Sequence, residues 1–135
     1  MAIVWVQQDG PQRMRELLRQ VMGKSWEKRV RAAMPDKWTP ADGPVVTVVG
    51  DGTPVAQAAW SKEAVRITVR AESLPRARRI LSEIDAYLLT PGFRGGMGVS
   101  AGAGIIALPD SKSGGFMASA TYNVTLPKQM KGIEL

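Results

Sequence analysis

The sequence contains no cysteine and no histidine among its 135 residues. Without cysteine there is no disulfide framework, no thiolate nucleophile and no zinc knuckle. Without histidine, the commonest general base near neutral pH and the commonest metal ligand are both missing, so Ser-His-Asp and Cys-His catalysis are excluded. We therefore expect a protein that is not an enzyme, with no catalytic residue, no cofactor and no metal site.

Carboxylate chemistry remains after these exclusions, and it needs acidic side chains gathered in one place. The 12 aspartate and glutamate residues are instead scattered singly along the chain. The only close pair is Glu83 and Asp85, and residues two apart on a helix point in different directions. The acidic residues therefore do not indicate a catalytic pair.

Long apolar segments are also absent. Residues 1–6 are too short an apolar stretch for a signal peptide and lack a preceding positive charge. No segment approaches the length that spans a bilayer. We expect a soluble protein without a membrane partner, which stays in the compartment where it is made.

The net charge of +6 is compatible with nucleic-acid binding, but the arrangement of the charges does not favour it. Basic residues are interleaved with acidic ones, and aromatic residues, which stack on bases, make up only 6% of the chain. We interpret most of the charge as solvated surface, with contact to an acidic protein partner as an alternative. The alternative function is a small basic nucleic-acid-binding α+β module that uses Arg66, Arg70 and a glycine-rich loop.

Two amphipathic helices are predicted. The first begins near Asp9, carries apolar residues at helical spacing and ends at Gly23. The second is capped by Ser73, has Pro75 in its first turn and ends at residues 91–92. Its expected buried stripe consists of Ala77, Ile80, Leu81, Ile84 and Leu88.

Several segments have the composition and alternation of β-strands. They are residues 45–49, 64–71, 105–108 and 116–126. In the second of these, Val65, Ile67 and Val69 are expected to face inward. Residues 28–34 also alternate with period two, which favours a strand over a competing helix at 26–33, and residues 55–62 are not assigned.

The order of these elements predicts an α+β fold. We expect one mostly antiparallel sheet of about four to five strands, with two amphipathic helices packed on one face. The chain is expected to form a single domain over residues 1–135. Within it, residues 1–8 form an N-terminal arm, 9–127 the α+β core and 128–135 a flexible C-terminal tail.

A glycine-rich loop is predicted at residues 92–104. Residues 96–101 match a loose G-x-G-x-x-A pattern, but a dinucleotide fingerprint needs a strand before it and a helix after it, and here the order is reversed. We interpret the segment as a flexible loop that a partner orders. Phe93, Arg94 and Met97 are its expected contact side chains.

Four tryptophans, at positions 5, 26, 38 and 60, lie outside the predicted core stripes. Tryptophan is enriched at protein interfaces, so we expect at least one of them to contact a partner. The alternative is that each covers an edge of the core. The complete candidate interface set is Trp5, Trp60, Arg66, Arg70, Phe93, Arg94 and Met97.

The succession of segments resembles a known family. A strand AVRITVRAES is followed by a helix PRARRILSEIDAYLLTPG, a glycine-rich loop, a strand ending IIALPD and a last strand FMASATYNVTLP. An N-terminal helix followed by PVVTVVGDG precedes them. In the order of these segments and in the residues that compose them, residues 9–127 resemble the bacteriophage tail-terminator, or tail-completion, proteins, especially those of siphophages that infect actinobacteria. Residues 26–44 match no feature of that family.

The resemblance implies a structural virion protein, without catalytic residues or a cofactor, at the head–tail junction after assembly in the host cytoplasm. Such subunits form homohexameric rings that end tail-tube polymerisation and join the tail to the head connector. The implied partners are further copies of the chain, the tail-tube protein and the head–tail connector proteins. Packaged DNA passes through the ring without sequence-specific binding. Another neck or head-completion subunit remains an alternative.

Overall fold

The computed structural model describes residues 1–52, 54–92 and 95–134. Over these residues the chain forms two α-helices and nine β-strands. In chain order they are β1 (Ala2–Val6), α1 (Gly10–Met22), β2 (Val30–Arg31), β3 (Val45–Gly50), β4 (Val55–Ala56), β5 (Trp60–Ala71), α2 (Leu74–Leu89), β6 (Gly98–Ala101), β7 (Ile106–Asp110), β8 (Gly115–Pro127) and β9 (Gln129–Ile133). Two short 3-10 helices cover Lys24–Trp26 and Pro40–Asp42.

Both α-helices begin at the capping residues that the sequence indicates. Asp9 Oδ1 accepts a hydrogen bond from the Gln12 N–H at 3.0 Å, and Ser73 Oγ accepts one from the Arg76 N–H at 3.3 Å. Gly23, with φ of 97°, follows α1 in the left-handed region that favours glycine. The two predicted helices are confirmed. All five residues of the predicted α2 stripe are buried: Ala77, Ile80, Leu81, Ile84 and Leu88.

Seven strands form the main sheet in the order β2-β3-β5-β8-β6, with β4 also pairing with β5 and β7 with β8. The long strands β5 and β8 pair continuously from Trp60 opposite Pro127 to Ala71 opposite Phe116. Only the short β2–β3 pair is parallel among the strand pairs of the described residues. The predicted fold class, with one sheet of four to five strands, is wrong, because the chain has this seven-stranded sheet and a second, two-stranded one.

The second sheet joins the two ends of the chain. β1 and β9 pair antiparallel from Ala2 opposite Ile133 to Val6 opposite Gln129. Residues 129–133, predicted as part of a flexible tail, and residues 2–6, predicted as an arm, are therefore hydrogen-bonded to each other. Backbone pairing between segments so distant in sequence leaves no local pattern. We call this β1–β9 pair the terminal ribbon.

The core lies between the two α-helices and one face of the main sheet. Val65, Ile67 and Val69 of β5 are fully buried on this face, as predicted. The alternate residues of β8 are buried beside them: Ala118, Ala120, Tyr122, Val124 and Leu126. Met14 and Leu18 of α1 are buried in the same apolar cluster.

The segment between α1 and β3 is less regular than the sequence predicts. The expected strand at 28–34 is reduced to the two residues of β2. Arg19 Nε and Nη2 donate to the Val30 carbonyl of this strand at 3.1 and 2.7 Å. Trp38, expected outside the core stripes, is buried, and its Nε1 donates to the Gly43 carbonyl at 2.9 Å.

Candidate assembly surfaces

The terminal ribbon has one wholly apolar face. Residues directly opposite each other on an antiparallel pair point to the same side, and Trp5 lies opposite Met130 while Ile3 lies opposite Gly132. The Met1 side chain lies over Gly132, where its Sδ is 2.8 Å from the position of an added Cβ. We define the Trp5 face as Met1, Ile3, Trp5 and Met130.

The side chains of the Trp5 face are open to solvent. Ile3 and Trp5 are each 58% exposed, and Met130 is 65% exposed. A two-stranded sheet is marginally stable in water by itself, and a contiguous exposed apolar patch marks a site of contact with another molecule. The Trp5 face is therefore the clearest candidate assembly surface among the described residues.

Hydrogen bonds hold the base of the terminal ribbon against the main sheet. The Lys128 N–H donates to the Ala59 carbonyl at 2.8 Å, and Gln8 Nε2 donates to the Pro127 carbonyl at 2.7 Å. Trp60, another predicted interface residue, lies at this point opposite Pro127 and is partly exposed. The ribbon is thereby tied to the end of the sheet at which β5 begins.

A second apolar surface lies between α1, the first 3-10 helix and α2. This groove has a volume of about 240 Å³. It is lined by Leu18, Val21, Met22, Trp26, Ile80, Glu83, Ile84 and Tyr87. We call it the helix groove. Among the residues that the structure describes, Glu83 is its only charged lining residue, and it takes part in no ion pair there.

The face of the main sheet opposite the helices is polar and internally paired. Arg66 Nη2 lies 3.1 Å from Asp51 Oδ2, and Arg70 Nε lies 3.2 Å from Asp110 Oδ2. The Arg70–Asp110 pair is mostly buried, with side-chain exposures of 21% and 12%. Arg66 and Arg70, both predicted interface residues, therefore have their charges compensated within the chain. This weakens the nucleic-acid alternative, which depends on them.

Asp110 is held ionised by several donors. The Ser113 hydroxyl donates to its Oδ2 at 2.7 Å, and the Lys112 N–H donates to its Oδ1 at 3.2 Å. These hydrogen bonds, led by that of Ser113, and the Arg70 guanidinium lower the pKa of Asp110 below its ordinary value. The cluster braces the turn between β7 and β8 against β5. Its geometry is that of a structural ion pair.

The predicted glycine-rich loop is only partly a loop. Gly98–Ala101 form β6, which pairs with β8 from Gly98 opposite Thr125 to Ala101 opposite Tyr122. At Gly102 the backbone approaches β8 so closely that an added Cβ would lie 2.7 Å from Thr121 Oγ1. The glycine therefore serves close packing at this position rather than mobility.

Of the three contact side chains predicted in that loop, the structure describes only one. Met97 is only 6% exposed and belongs to the core cluster, so the prediction that it presents an apolar group to a partner is wrong. Phe93 and Arg94 lie outside the described residues. Met97 follows a stretch of glycines, and no periodic apolar pattern marks it as a core residue.

The sequence predicts Trp5 as an interface residue but not the apolar neighbours that share its face. Residues 1–6 are all apolar, which is compatible with a strand but does not single out the face that carries Ile3 and Trp5. No local pattern predicts that Met130 lies opposite Trp5. The helix groove was also missed, because it arises from the packing of two helices.

No protein-family model matches the chain, and no curated protein matches its sequence significantly. Across residues 1–52, 54–92 and 95–134, neither α-helix combines the length and the hydropathy that a bilayer span requires.

Proposed function

We propose that this protein is a structural virion subunit, a bacteriophage tail terminator that forms a homohexameric ring. The ring ends tail-tube polymerisation and joins the tail to the head connector. The Trp5 face carries the proposal, because a contiguous exposed apolar surface on a strand pair of marginal stability marks a site of contact with another molecule. The resemblance of residues 9–127 to tail-terminator proteins is the reason for proposing a hexameric ring as the assembly.

The presence of two different apolar surfaces on one chain is compatible with a subunit of a ring. A cyclic ring with more than two subunits is built from heterologous contacts, in which one patch of a subunit meets a different patch of the next. The chain carries two different apolar surfaces, the Trp5 face and the helix groove.

The paired charges on the polar face of the main sheet are compatible with DNA that passes through the proposed ring without binding to it. Affinity for DNA comes mainly from cationic side chains that neutralise phosphates. Arg66 and Arg70 are instead paired with Asp51 and Asp110. We therefore expect the ring to present no row of free cations on this face, which suits a conduit through which DNA must slide.

Deletion of the gene from the virus that encodes the chain tests the proposal. Loss of a tail terminator is expected to yield tails of unregulated, excessive length that do not join heads, as measured by electron microscopy of the lysate. A copy of the gene supplied in trans should restore tail length. Tails of normal length that merely fail to join heads would instead assign the chain to the head-completion class, and normal particles would refute both assignments.

A further inference from the structure

The terminal ribbon stands apart from the core of the protein. β1 and β9 pair with each other over all five residues of each strand, and neither has an extensive contact with another helix or strand of the described chain. No residue of either strand is buried, and none belongs to the apolar core cluster. The ribbon is therefore held together by its own pairing rather than by packing against the helices or the main sheet.

The ribbon is attached to the rest of the chain at one end. Lys128 and Gln8, which lie at this base, donate hydrogen bonds to the carbonyls of Ala59 and Pro127 respectively. β9 follows β8 after the single residue Lys128, whereas residues 7–9 separate β1 from α1. Separation of β1 from β9 would therefore break the pairs of the ribbon and leave the pairing of β5 with β8 intact.

The pairs within the ribbon provide little side-chain stabilisation. Only Trp5 and Met130 bring two large apolar side chains together across the ribbon, because Ile3 lies opposite Gly132 and each of the other three pairs contains an alanine, a lysine or a glutamine. A two-stranded sheet without further packing is marginally stable in water. Local opening free energies in proteins extend down to nearly zero at exposed, sparsely packed segments of this kind.

We propose that the terminal ribbon opens and closes as one unit while the main sheet and the helices stay folded, so that the Trp5 face exists only while the ribbon is closed. The face takes Met1, Ile3 and Trp5 from one end of the chain and Met130 from the other, and separation of the strands divides it. A partner that binds the complete face binds the closed ribbon and stabilises it by mass action. This link to assembly rests on the proposed function, whereas the opening of the ribbon does not.

Hydrogen exchange of the full chain, measured by mass spectrometry, tests the opening. The amides of β1 and β9 should share one low protection, below about a hundredfold, while those of β5 and β8 are protected about five-thousandfold or more. As the protein concentration is raised and the chain assembles, which sedimentation velocity follows, the protection of both ribbon strands should rise together. Ribbon amides that are as well protected as those of β5 and β8 at every concentration would overturn the proposal, as would different protections of β1 and β9.

A disulfide that locks the ribbon provides a control within one chain. Val4 and Lys131 lie directly opposite each other on the side away from Trp5, at the Cα separation of about 4.5–5.5 Å that a disulfide bridges. The chain has no cysteine of its own, so Val4→Cys with Lys131→Cys forms one defined bridge. Oxidation should raise the protection of the ribbon amides about tenfold or more relative to the reduced form and leave β5 and β8 unchanged.

Two results of the locked variant would contradict the proposal. Ribbon protection that does not change on oxidation would show that the strands do not separate. An oxidised chain that fails to assemble, while its reduced form assembles, would show that the open ribbon is the assembling form. Assembly of both forms, with higher ribbon protection after oxidation, supports the proposal.

Trp5→Ser, which removes the one large apolar pair of the ribbon, tests whether its strands open together. It should lower the protection of β1 and of the unmodified β9 by about two- to fivefold, and leave that of β5 and β8 unchanged. Ile3→Ser is the matched control, because Ile3 is also 58% exposed and has no side chain opposite it. Loss of protection in β5 and β8 would place the ribbon in the core unit and overturn the proposal. The tail-length phenotype of the gene deletion is read independently, so the two proposals fail separately.

Discussion

Replacement of Tyr122 by phenylalanine removes one hydroxyl from the core and leaves its shape unchanged. Tyr122 is 1% exposed, and its Oη donates to Oδ1 of Asp85 at 2.6 Å, which joins β8 to α2. A hydrogen bond to a charged group contributes about 1.5–3 kcal/mol to stability. Because Asp85 is only half-buried, water replaces part of the lost bond, and we expect the variant to lose about 1–2 kcal/mol at neutral pH.

The same substitution should change how stability depends on alkaline pH. Burial, and secondarily the Asp85 carboxylate, raise the pKa of Tyr122 far above its ordinary value. In the unfolded chain the hydroxyl ionises near pH 10, so above this pH the unfolded state loses a proton that the folded state keeps. The contribution of Tyr122 is therefore complete below about pH 10 and falls by about 1.4 kcal/mol per pH unit above it.

Urea unfolding at neutral pH and at about pH 11 measures both effects. The unmodified chain should be the more stable at neutral pH, and the difference should nearly vanish at about pH 11, since phenylalanine has no proton to lose. Asp85→Asn is a matched control that keeps an acceptor oxygen and removes the charge, so its loss at neutral pH should be smaller. Equal stability of the two proteins at neutral pH, or a difference that stays constant through pH 11, would refute the assignment of this hydrogen bond.

Three further predictions concern packing, acid stability and DNA. Gly102→Ala should lower the free energy of unfolding by about 1–3 kcal/mol, because the new Cβ would lie 2.7 Å from Thr121 Oγ1. Gly104→Ala is the control, since its new Cβ would have no atom within 4 Å, and urea unfolding should show it to be nearly neutral. Because the pKa of Asp110 is lowered in the folded state, its carboxylate contributes stability above the ordinary carboxyl pKa, and this contribution is lost as the pH falls through the pKa of the folded state. Asp110→Asn should therefore reduce the drop in melting temperature between neutral and acidic pH. In gel-shift titrations the unmodified chain should bind DNA weakly, without sequence preference, and lose it in moderate salt; tight, selective binding at physiological salt would favour the nucleic-acid alternative.

The helices could be predicted because their signals are local. A capping side chain, a proline in the first turn and an apolar stripe all lie within one segment, and α2 has all three. The inward faces of β5 and β8 follow from period-two alternation for the same reason. These elements also make up most of the core.

The complete sheet could not be predicted, because its additional strands depend on pairing rather than on composition. β6 consists of Gly98–Ala101, which has almost no apolar alternation, and it is a strand because β8 offers it a free edge. β4 is two residues long and is held by β5. Backbone hydrogen bonds of this kind need no particular side chain, so a pattern of side chains does not reveal them.

The candidate assembly surfaces were accessible to sequence reasoning only in part. Trp5 and Trp60 are exposed as expected of interface tryptophans, while Trp38 is buried. Met97 is a core residue that follows two glycines at positive φ, Gly95 and Gly96, and no apolar pattern marks it as one. The Trp5 face itself depends on the partner strand, since Met130 joins it only through the β1–β9 register.

Native mass spectrometry of the unmodified full chain tests the central claim most directly. We expect a predominant species of six subunits, each of 14.6 kDa, which electron microscopy should show as a closed ring. The Trp5→Ser variant, examined under the same conditions, should show monomers in place of that species. A strictly monomeric mass for the unmodified chain up to high concentration would contradict the claim.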